Sequence, residues 1–518
     1  MQACPEELNF AEYINRINAN RPDKAAYIDD RRTLSYGELA NDTARFAGVL
    51  KNLEIRREER VLLLMHDVVE WPVVFLGSLH AGVIPVAINT LLTPQDYAYM
   101  LEHSRAQAVF ISAALLPTFN KALELARHEI KHIVVAHSDT ELADGQLDFH
   151  ELLENAQPQK PVQTLADENA FWLYSSGSTG RPKGVVHTHG NPWYTAELYG
   201  KPILGITEED TMFSAAKLFF AYGLGNGLFF PLSVGATTIL MAERPTPDAV
   251  FKRLTQHKPT IFGGVPTLYT SMLASANLPA RDDVALRVCA SAGEALPKDI
   301  GDRFTKHFGC TILDGIGSTE MLHIFISNQE SDLRYGTTGK PVPGYEVELR
   351  DDNGETVGAD TIGDLYIKGP SAATLYWNDR KRSQSTFVGE WLKSGDKYIR
   401  DADGYYTYAG RSDDMIKVSG QFVSPVEVEN TLIQHEAVLE AAVIGQSDAD
   451  GLVKTIAYVV LRDGQTASDE LSQELKDFVK SNLAPFKYPR TIHFIDELPK
   501  TATGKIQRFR LRQEQEDE

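Results

Sequence analysis

The most informative stretch of the sequence is Tyr174-Ser-Ser-Gly-Ser-Thr-Gly-Arg-Pro-Lys-Gly184. Within it, residues 175–180 follow an apolar, β-prone segment, residues 171–174, and combine four hydroxyl side chains and two glycines, and the ammonium of Lys183 comes shortly after. Such a loop offers unobstructed backbone N–H groups, O–H donors and a positive charge, which are the groups that hold a polyphosphate. It is not the P-loop of NTPases, because Pro182 stands where that motif needs glycine and Gly184 follows the lysine. A flexible Ser/Gly linker, the alternative, would not directly follow an aromatic strand.

Short apolar runs typical of buried strands alternate with longer amphipathic segments on both sides of this loop. Residues 61–65 and 108–112 have the pattern of strands, as do residues 260–265 and 286–291. Residues 35–50 have the pattern of a helix with a polar cap at its start. This alternation predicts an α/β protein with largely parallel β-sheets flanked by helices.

The pattern changes after about residue 340. Residues 344–350 and 363–369 have the pattern of short strands between Asp/Gly turns, typical of a β-rich subdomain that extends to about residue 411. The polar, glycine-flanked segment 410–420 then marks a boundary. We therefore predict a large N-terminal domain, residues 1–411, joined by a hinge to a small α+β C-terminal domain, residues 412–518. The C-terminal domain is predicted to contain a helix at 425–433, strands at 439–444 and 455–461, and a helix at about 471–481.

Composition limits the class of protein. The 518 residues are enough for roughly two to four domains. The formal net charge of −20 argues against a nucleic-acid partner, which would require a basic face. No apolar run is long enough to span a membrane and the first residues do not resemble a signal peptide, so we expect a cytoplasmic protein without a membrane partner. Cys4, Cys289 and Cys310 form no CxxC pair, so neither structural zinc nor a disulfide framework is expected.

Several motifs, taken together and in order, resemble the adenylate-forming superfamily, which includes acyl- and aryl-CoA ligases. They are the loop at 174–184, Asp314-Gly-Ile-Gly-Ser-Thr-Glu320, Ser394-Gly-Asp396, the segment 410–420 and Pro499-Lys-Thr-Ala-Thr-Gly-Lys505. The resemblance runs nearly end to end. It implies an enzyme that uses ATP, Mg²⁺ and coenzyme A, and that activates a carboxylic acid as an acyl-adenylate before passing it to the CoA thiol.

The resemblance also implies a role for each motif residue. Glu320 would bind Mg²⁺, a hard cation that takes oxygen ligands. Asp396 would accept hydrogen bonds from the ribose hydroxyls, and Arg411 would meet the ribose and phosphates. Most relatives have Tyr where this chain has Ile316, so adenine would pack on an aliphatic side chain. The full set of implied nucleotide contacts is Ser175, Ser176, Gly177, Ser178, Thr179, Lys183, Gly293, Glu294, Ala295, Asp314, Gly315, Ile316, Gly317, Ser318, Thr319, Asp396, Tyr408, Arg411 and Lys505.

Lys505 matches the adenylation lysine of the superfamily, and with Glu320 and Thr179 it makes up the implied catalytic set. A lysine that bridges the acid carboxylate and the α-phosphate would relieve the repulsion between two anions and orient the attack. Taken alone, a lysine near the C-terminus is nearly always a solvated charge.

The second half-reaction needs a different arrangement, which the superfamily reaches by rotating its C-terminal domain. The resemblance places the pivot at Asp413 and brings Ser419 and Gly420 to the acyl-adenylate, where a small residue leaves room for the pantetheine arm. Phe486 and Arg490 align with positions that contact the CoA nucleotide in some relatives. A plain surface turn is the open alternative for those two residues.

The segment 217–227 resembles the acyl-pocket wall of benzoate-CoA ligases and their close kin. Its bulky aromatic side chains suit a ring-sized acid, benzoate above all, better than a long fatty chain. Hydroxy- and aminobenzoates remain possible substrates, because a hydrophobic pocket discriminates only modestly against an added hydroxyl. For His323 the alternatives are a core histidine or contact with the ring or its substituent. The implied pocket consists of Phe220, Ala221, Tyr222, Ala292, Gly317, His323 and Ile324.

Two other functions compete with aryl-CoA ligation. One is a stand-alone adenylation enzyme that loads a carrier protein instead of CoA. The other is a catalytically inactive nucleotide-binding paralogue, against which the presence of Lys183, Glu320, Asp396 and Lys505 argues. A monomer and a homodimer are both compatible with the sequence.

Overall fold

The computed structural model describes residues 3–177, 180–412, 414–418, 421–447, 453–483, 487–500, 506–508 and 510–512. Seven residues with predicted roles lie outside these ranges: Ser178, Thr179, Asp413, Ser419, Gly420, Phe486 and Lys505. The chain divides into two compact units. The first comprises Met1–Tyr335, Gly339–Glu346 and Lys368–Leu392, and the second comprises Gly336–Thr338, Val347–Ile367 and Lys393–Glu518. The second unit thus includes much of the β-rich segment, and the mobile-domain boundary at residue 411 stays a prediction.

The first unit contains a nine-stranded sheet. Its central pairs are parallel, and antiparallel strands complete both edges. One apolar core beneath it includes Phe213, Phe262 and Phe304. In spatial order the strands are Lys340–Pro341, Ile324–Ser327, Thr311–Gly317, Val288–Ser291, Ile261–Gly264, Thr211–Ser214, Thr237–Ile239, Ala25–Ile28 and Thr33–Ser35.

A second sheet of eight strands lies in the same unit. Its order is Leu375–Tyr376, Gly180–Thr188, Asn169–Gly177, Ile84–Ala87, Arg60–Leu64, Ala108–Ser112, His132–Ala136 and Gln146–Asp148. Six neighbouring strands are parallel, whereas Asn169–Gly177 and Gly180–Thr188 form an antiparallel hairpin. The two hairpin strands therefore include most of the residues that we expected to form the phosphate loop.

Helices surround both sheets. The helix Tyr36–Asn52 begins with a capping box, in which the Glu38 N–H donates to Ser35 Oγ at 3.2 Å and the Ser35 N–H donates to Glu38 Oε2 at 2.7 Å. The other helices of this unit are Phe10–Ile17, Glu70–His80, Pro94–Ser104, Leu116–Leu125, Phe149–Asn155, Gly190–Thr195, Ala221–Leu224, Phe230–Val234, Pro247–Gln256, Pro266–Ala274, Lys298–Phe308 and Arg380–Thr386. Among the described residues, none of the helices is both long and apolar enough to cross a membrane.

The β-rich segment forms a sheet whose residues belong mostly to the second unit. Its strands are Glu346–Arg350, Ile362–Lys368, Trp391–Arg400 and Tyr406–Arg411, with Phe387–Val388 paired to the start of Trp391–Arg400. The rest of the second unit contains the hairpin Ile416–Val418 and Gln421–Val423, the three-stranded sheet Val438–Ser447, Val453–Leu461 and Thr491–Phe494, and the helices Pro425–Ile433 and Asp469–Asn482. The predicted α/β class, with a large region of parallel sheets and a small α+β region, is confirmed. The three cysteines are free, with 3.9 Å between the sulfurs of Cys289 and Cys310.

Candidate functional site

Glu320 is the centre of a largely buried polar group in the first unit. Its Oε1 accepts hydrogen bonds from the Tyr376 hydroxyl at 2.8 Å and from the Ser175 hydroxyl at 3.3 Å, and the Lys183 ammonium lies 3.5 Å away. Lys183 also donates to Tyr376 Oη at 3.3 Å and lies 4.5 Å from the centre of that ring. Because Ser175 and Lys183 pair across the hairpin, both arms of the predicted phosphate loop reach Glu320.

The charge of Glu320 follows from these contacts. Burial by itself would raise the pKa of Glu320, but the Lys183 ammonium and the Tyr376 and Ser175 hydroxyls outweigh it and hold that pKa below its ordinary value. The carboxylate is therefore ionised at neutral pH. An ionised carboxylate is the hard oxygen donor that Mg²⁺ prefers, and one carboxylate suffices when phosphate oxygens and water supply the remaining ligands. The residues present fit the predicted metal role.

The two segments predicted to hold adenine leave neighbouring parallel strands at the same edge. Ser291 ends the strand Val288–Ser291 and pairs with Asp314 on Thr311–Gly317. The Leu296 N–H donates to Asp314 Oδ2 at 3.4 Å and ties the two segments together. Gly293 has a φ of 97°, a backbone conformation that residues with a side chain rarely adopt. The carboxyl edge of parallel strands is the usual place for a ligand site. The residues at this edge that carry the prediction are Ala292, Gly293, Glu294, Ala295, Gly315, Ile316, Gly317, Ser318 and Thr319.

Asp314 differs from Glu320 in its charge. Burial raises the pKa of Asp314 to about 8, against weaker lowering by the Ser291 hydroxyl and the Leu296 N–H. At neutral pH this side chain is therefore mostly a neutral carboxylic acid.

A buried histidine fixes the backbone next to Glu320. The His187 Nε2–H donates to the Thr319 carbonyl at 2.8 Å, and the Asn191 amide donates to His187 Nδ1 at 2.9 Å and to the Ala372 carbonyl at 3.2 Å. Burial lowers the pKa of His187 to about 4, although the hydrogen bond to Thr319 opposes the shift. The ring stays neutral with its proton on Nε2, and its hydrogen bond links the hairpin strand Gly180–Thr188 to the backbone next to Glu320.

Replacing His187 by leucine is expected to destabilise the protein. The substitution leaves the Thr319 carbonyl and the Asn191 amide without their partner in the interior, which costs about 2–4 kcal/mol in total. The thermal unfolding midpoint, measured by circular dichroism, should fall by about 3–5 °C. His128→Leu, which changes an exposed histidine, is the matched control and should leave the midpoint within about 2 °C. Equal midpoints for the two variants would contradict a stabilising role for the His187 hydrogen bonds.

Three predicted acyl-pocket residues are brought together around His323. The Tyr222 and His323 rings stack with 5.5 Å between their centres, and the His323 Nε2–H donates to the Tyr222 carbonyl at 3.3 Å. Ile324 pairs with Gly317 across two antiparallel strands. Burial lowers the pKa of His323 to about 3, so the ring is neutral, as an apolar pocket requires. Ala221 begins a helix directly after Phe220, and Ala292 follows the strand that ends at Ser291.

In the second unit, two predicted nucleotide contacts form an ion pair across neighbouring strands. Asp396 and Arg411 are in register, and Arg411 Nη1 donates to Asp396 Oδ1 at 2.9 Å. Tyr408 packs on Tyr398 with 5.4 Å between the ring centres. Burial, and then the negative charge of Asp396, raise the pKa of Tyr408, so its hydroxyl stays neutral. The pair presents a charged, oriented carboxylate of the kind that binds two hydroxyl groups.

Arg490 is an exposed residue of the second unit. Its guanidinium is exposed and packs 4.0 Å from the centre of the Tyr488 ring. The contact with a CoA nucleotide and the surface-turn alternative both stay predictions.

Sequence reasoning missed Tyr376 and His187. Tyr376 is 56 residues from Glu320 along the chain, and His187 is 132 residues from Thr319. Each stands in an ordinary β-prone run, so the local sequence carries no signal for its role. Only the pairing of Leu375–Tyr376 with the hairpin strand Gly180–Thr188 brings the tyrosine to the carboxylate.

Comparison with known proteins adds to this geometry. Residues 14–377 match the AMP-binding enzyme family, and residues 427–505 match the AMP-binding enzyme C-terminal domain. A benzoate–CoA ligase of Thauera aromatica is 54% identical over 518 residues, which cover 98% of this chain and 96% of that protein. A 4-hydroxybenzoate–CoA/benzoate–CoA ligase of Rhodopseudomonas palustris is 46% identical over 511 residues, covering 97% of this chain and 93% of that protein. The crystal structure of a benzoate CoA ligase from Burkholderia xenovorans LB400 is 61% identical, with a TM-score of 0.91 and coverage of 98% of this chain and 100% of that one.

Proposed function

This chain belongs to the AMP-binding enzyme family, and from that premise we propose that it is a benzoate–CoA ligase. The reaction joins an aryl acid, ATP and CoA into aryl-CoA, AMP and diphosphate through an acyl-adenylate. Similarity to benzoate–CoA ligases over nearly the whole chain supports the reaction.

The observation that carries the choice of acid is the group around His323. A neutral imidazole between the Tyr222 and Phe230 rings, 5.5 and 4.6 Å away, offers flat apolar surfaces of ring size. Asp314, the acidic residue near these rings, is mostly protonated at neutral pH because burial raises its pKa to about 8. An amino acid would need a negative partner for its ammonium, so an uncharged aromatic ring suits the group better.

In the first half-reaction the carboxylate of the acid attacks the α-phosphorus of ATP. A bond forms between the carboxylate oxygen and that phosphorus, and the bond to the bridging oxygen breaks to release diphosphate. Lys183 and the hairpin would hold the phosphates, and Ser175 and Tyr376 orient the Glu320 carboxylate through the hydrogen bonds to its Oε1. Glu320 would hold Mg²⁺, which when bound neutralises phosphate charge.

The second half-reaction needs the CoA thiol at the adenylate carbonyl. Sulfur forms a bond to the carbonyl carbon, AMP leaves with the former carboxylate oxygen, and the thiol proton passes to solvent. We propose that the C-terminal domain rotates about Asp413 between the two steps, which removes Lys505 and brings in Ser419 and Gly420. Asp396, paired with Arg411, would hold the ribose hydroxyls of the nucleotide.

A panel of acids tests this proposal. The full chain is incubated with ATP, Mg²⁺, CoA and one acid at a time, and AMP release and acyl-CoA formation are measured together. The highest kcat/KM is expected with benzoate, and smaller values with fatty acids. A higher kcat/KM with a medium-chain fatty acid would overturn the aryl assignment. Product formation only with a phosphopantetheinylated protein, and not with CoA, would favour a carrier-loading enzyme.

The alternative substrate is a substituted benzoate. The Rhodopseudomonas palustris relative is named for 4-hydroxybenzoate as well as benzoate, and a hydrophobic pocket rejects an added hydroxyl only modestly. The same panel includes 4-hydroxybenzoate and 2-aminobenzoate. The acid with the highest kcat/KM among the three defines the preferred substrate.

Replacing Tyr376 by phenylalanine is expected to move the acid limb of the pH–rate profile to higher pH. The Tyr376 hydroxyl donates to Glu320 and helps to lower its pKa. Without that hydroxyl the pKa of Glu320 rises, so the carboxylate begins to protonate, and activity begins to fall, at a higher pH than in the unmodified protein. The kcat/KM for ATP is measured across pH for both proteins. Tyr366→Phe is the matched control, and an acid limb that does not move in Tyr376→Phe would contradict the assignment.

A further inference from the structure

Two wide helical turns flank His323. The helix Gly190–Thr195 continues as a π-type turn over Ala196–Gly200, which carries Tyr199. The helix Ala221–Leu224 continues as a second π-type turn over Gly225–Phe229, which carries Asn226. Turns of this kind are rare and are often found at functional sites.

The wide turns bring their side chains against the acyl-pocket group. The Tyr199 and His323 ring centres are 5.2 Å apart. A Cβ on Gly225 would lie 2.3 Å from His323 Cδ2, so only glycine allows this close approach. A Cβ on Gly263 would lie 2.9 Å from Asn226 Nδ2, which places the Asn226 amide against the end of a central strand.

Asn226 is fully buried, and among the described residues neither atom of its amide has a hydrogen-bond partner. The same holds for Tyr222 Oη, Tyr199 Oη and His323 Nδ1. Burial raises the pKa of Tyr222 and the Asn226 amide partly offsets this, so the two side chains are close although no hydrogen bond of ordinary geometry joins them. Buried polar groups are nearly always paired, and a cluster of unpaired ones needs a specific explanation.

The chemistry of the cluster suits one kind of ligand group. Asn226 follows Tyr222 by four residues, so the two lie on one side of the helix beside His323. The amide of Asn226 supplies both a donor and an acceptor, and so does the Tyr222 hydroxyl. A hydroxyl on the acid's ring can donate one hydrogen bond and accept another, whereas an unsubstituted ring can do neither.

We propose that Asn226 determines specificity at a polar end of the acyl pocket, where it binds a hydroxyl substituent on the ring of the acid. This inference rests on the proposed aryl-CoA ligase function. It predicts that the enzyme converts at least one monohydroxybenzoate as well as benzoate. Tyr222 and His323 also belong to this polar end, but their rings form part of the apolar wall as well. Asn226 contributes only its amide to the pocket.

The test compares acids with one another within each protein. The kcat/KM is measured for benzoate and for 2-, 3- and 4-hydroxybenzoate, with unmodified protein and with Asn226→Leu, which keeps the number and branching of the side-chain heavy atoms and removes both hydrogen-bonding atoms. For at least one hydroxybenzoate, the ratio of its kcat/KM to that of benzoate should fall by about 10- to 100-fold. The kcat/KM for benzoate should fall less than the kcat/KM for that hydroxybenzoate.

Two further variants complete the test. Asn226→Ser supplies a hydroxyl in place of the amide and should retain part of the activity with hydroxybenzoate, and it replaces the leucine variant if that protein does not fold. Asn41→Leu, at an exposed helix position, should leave every ratio unchanged. An unchanged ratio for all three isomers in both Asn226 variants, or no hydroxybenzoate turnover by the unmodified protein, would overturn this inference alone. Failure to convert any aryl acid, benzoate included, would instead overturn the proposed function.

Discussion

Replacing Lys505 by alanine is expected to lower the rate of acyl-adenylate formation by about 10³-fold or more. That step brings two anions together, the acid carboxylate and the α-phosphate, in a protein whose net charge of −20 repels both. An ammonium placed between them relieves the repulsion and stabilises the charge that grows in the transition state. The rate is measured as benzoate-dependent exchange between ATP and diphosphate.

The second half-reaction should respond differently to the same substitution. If the C-terminal domain carries Lys505 away before CoA reacts, thioester formation from supplied benzoyl-adenylate should stay within about threefold of the unmodified protein. Lys476→Ala, which removes an ammonium from the helix Asp469–Asn482, is the control for both assays and should alter neither. Equal losses in the two half-reactions would mean that Lys505 acts on stability or on both steps, and would contradict its role in adenylation.

Sequence patterns predicted regular elements well where local signals agree with burial. The strand Ala108–Ser112 and the helix Pro425–Ile433 lie where the sequence predicts them. At the start of the helix, the Ser424 hydroxyl accepts a hydrogen bond from the Glu427 N–H at 3.1 Å, and a proline occupies the first turn. The local sequence is therefore enough to predict where this helix begins. The hairpin at Ser175 was harder, because its serines and glycines favour loops and only cross-strand pairing with Lys183 extends the strand.

Some residues of the candidate site could likewise be predicted from the sequence, whereas others could not. Lys183 and Glu320 were predicted through the resemblance of their motifs to those of a superfamily, and the structure brings them within 3.5 Å of each other. The segment 217–227 was also found by resemblance, but nothing in it predicted the wide turn at Asn226. Its wide turn depends on the absence of a side chain at Gly225, and the reason for that glycine is His323, about a hundred residues later. Contacts of this kind arise from tertiary packing and cannot be predicted from one segment.

Replacing Glu320 by glutamine is expected to lower kcat/KM for ATP by about 10²- to 10³-fold and to weaken the dependence of the rate on Mg²⁺. Glutamine keeps the shape of the side chain and can still accept a hydrogen bond from Tyr376. It removes the negative charge that would hold the cation, and it leaves the Lys183 ammonium without the carboxylate that lies 3.5 Å away. The measurement is benzoate-dependent exchange between ATP and diphosphate, followed over a range of Mg²⁺ concentrations.

The Mg²⁺ titration separates a metal ligand from a carboxylate that only positions Lys183. Loss of a ligand raises the Mg²⁺ concentration at half-maximal rate, and added Mg²⁺ recovers part of the activity. Loss of a partner for Lys183 lowers the rate equally at every Mg²⁺ concentration. Glu348→Gln neutralises a glutamate paired with Arg350 at 2.7 Å and should leave the titration unchanged. A parallel loss for Glu320→Gln, without a shift in half-saturation, would assign Glu320 to the lysine rather than to the metal.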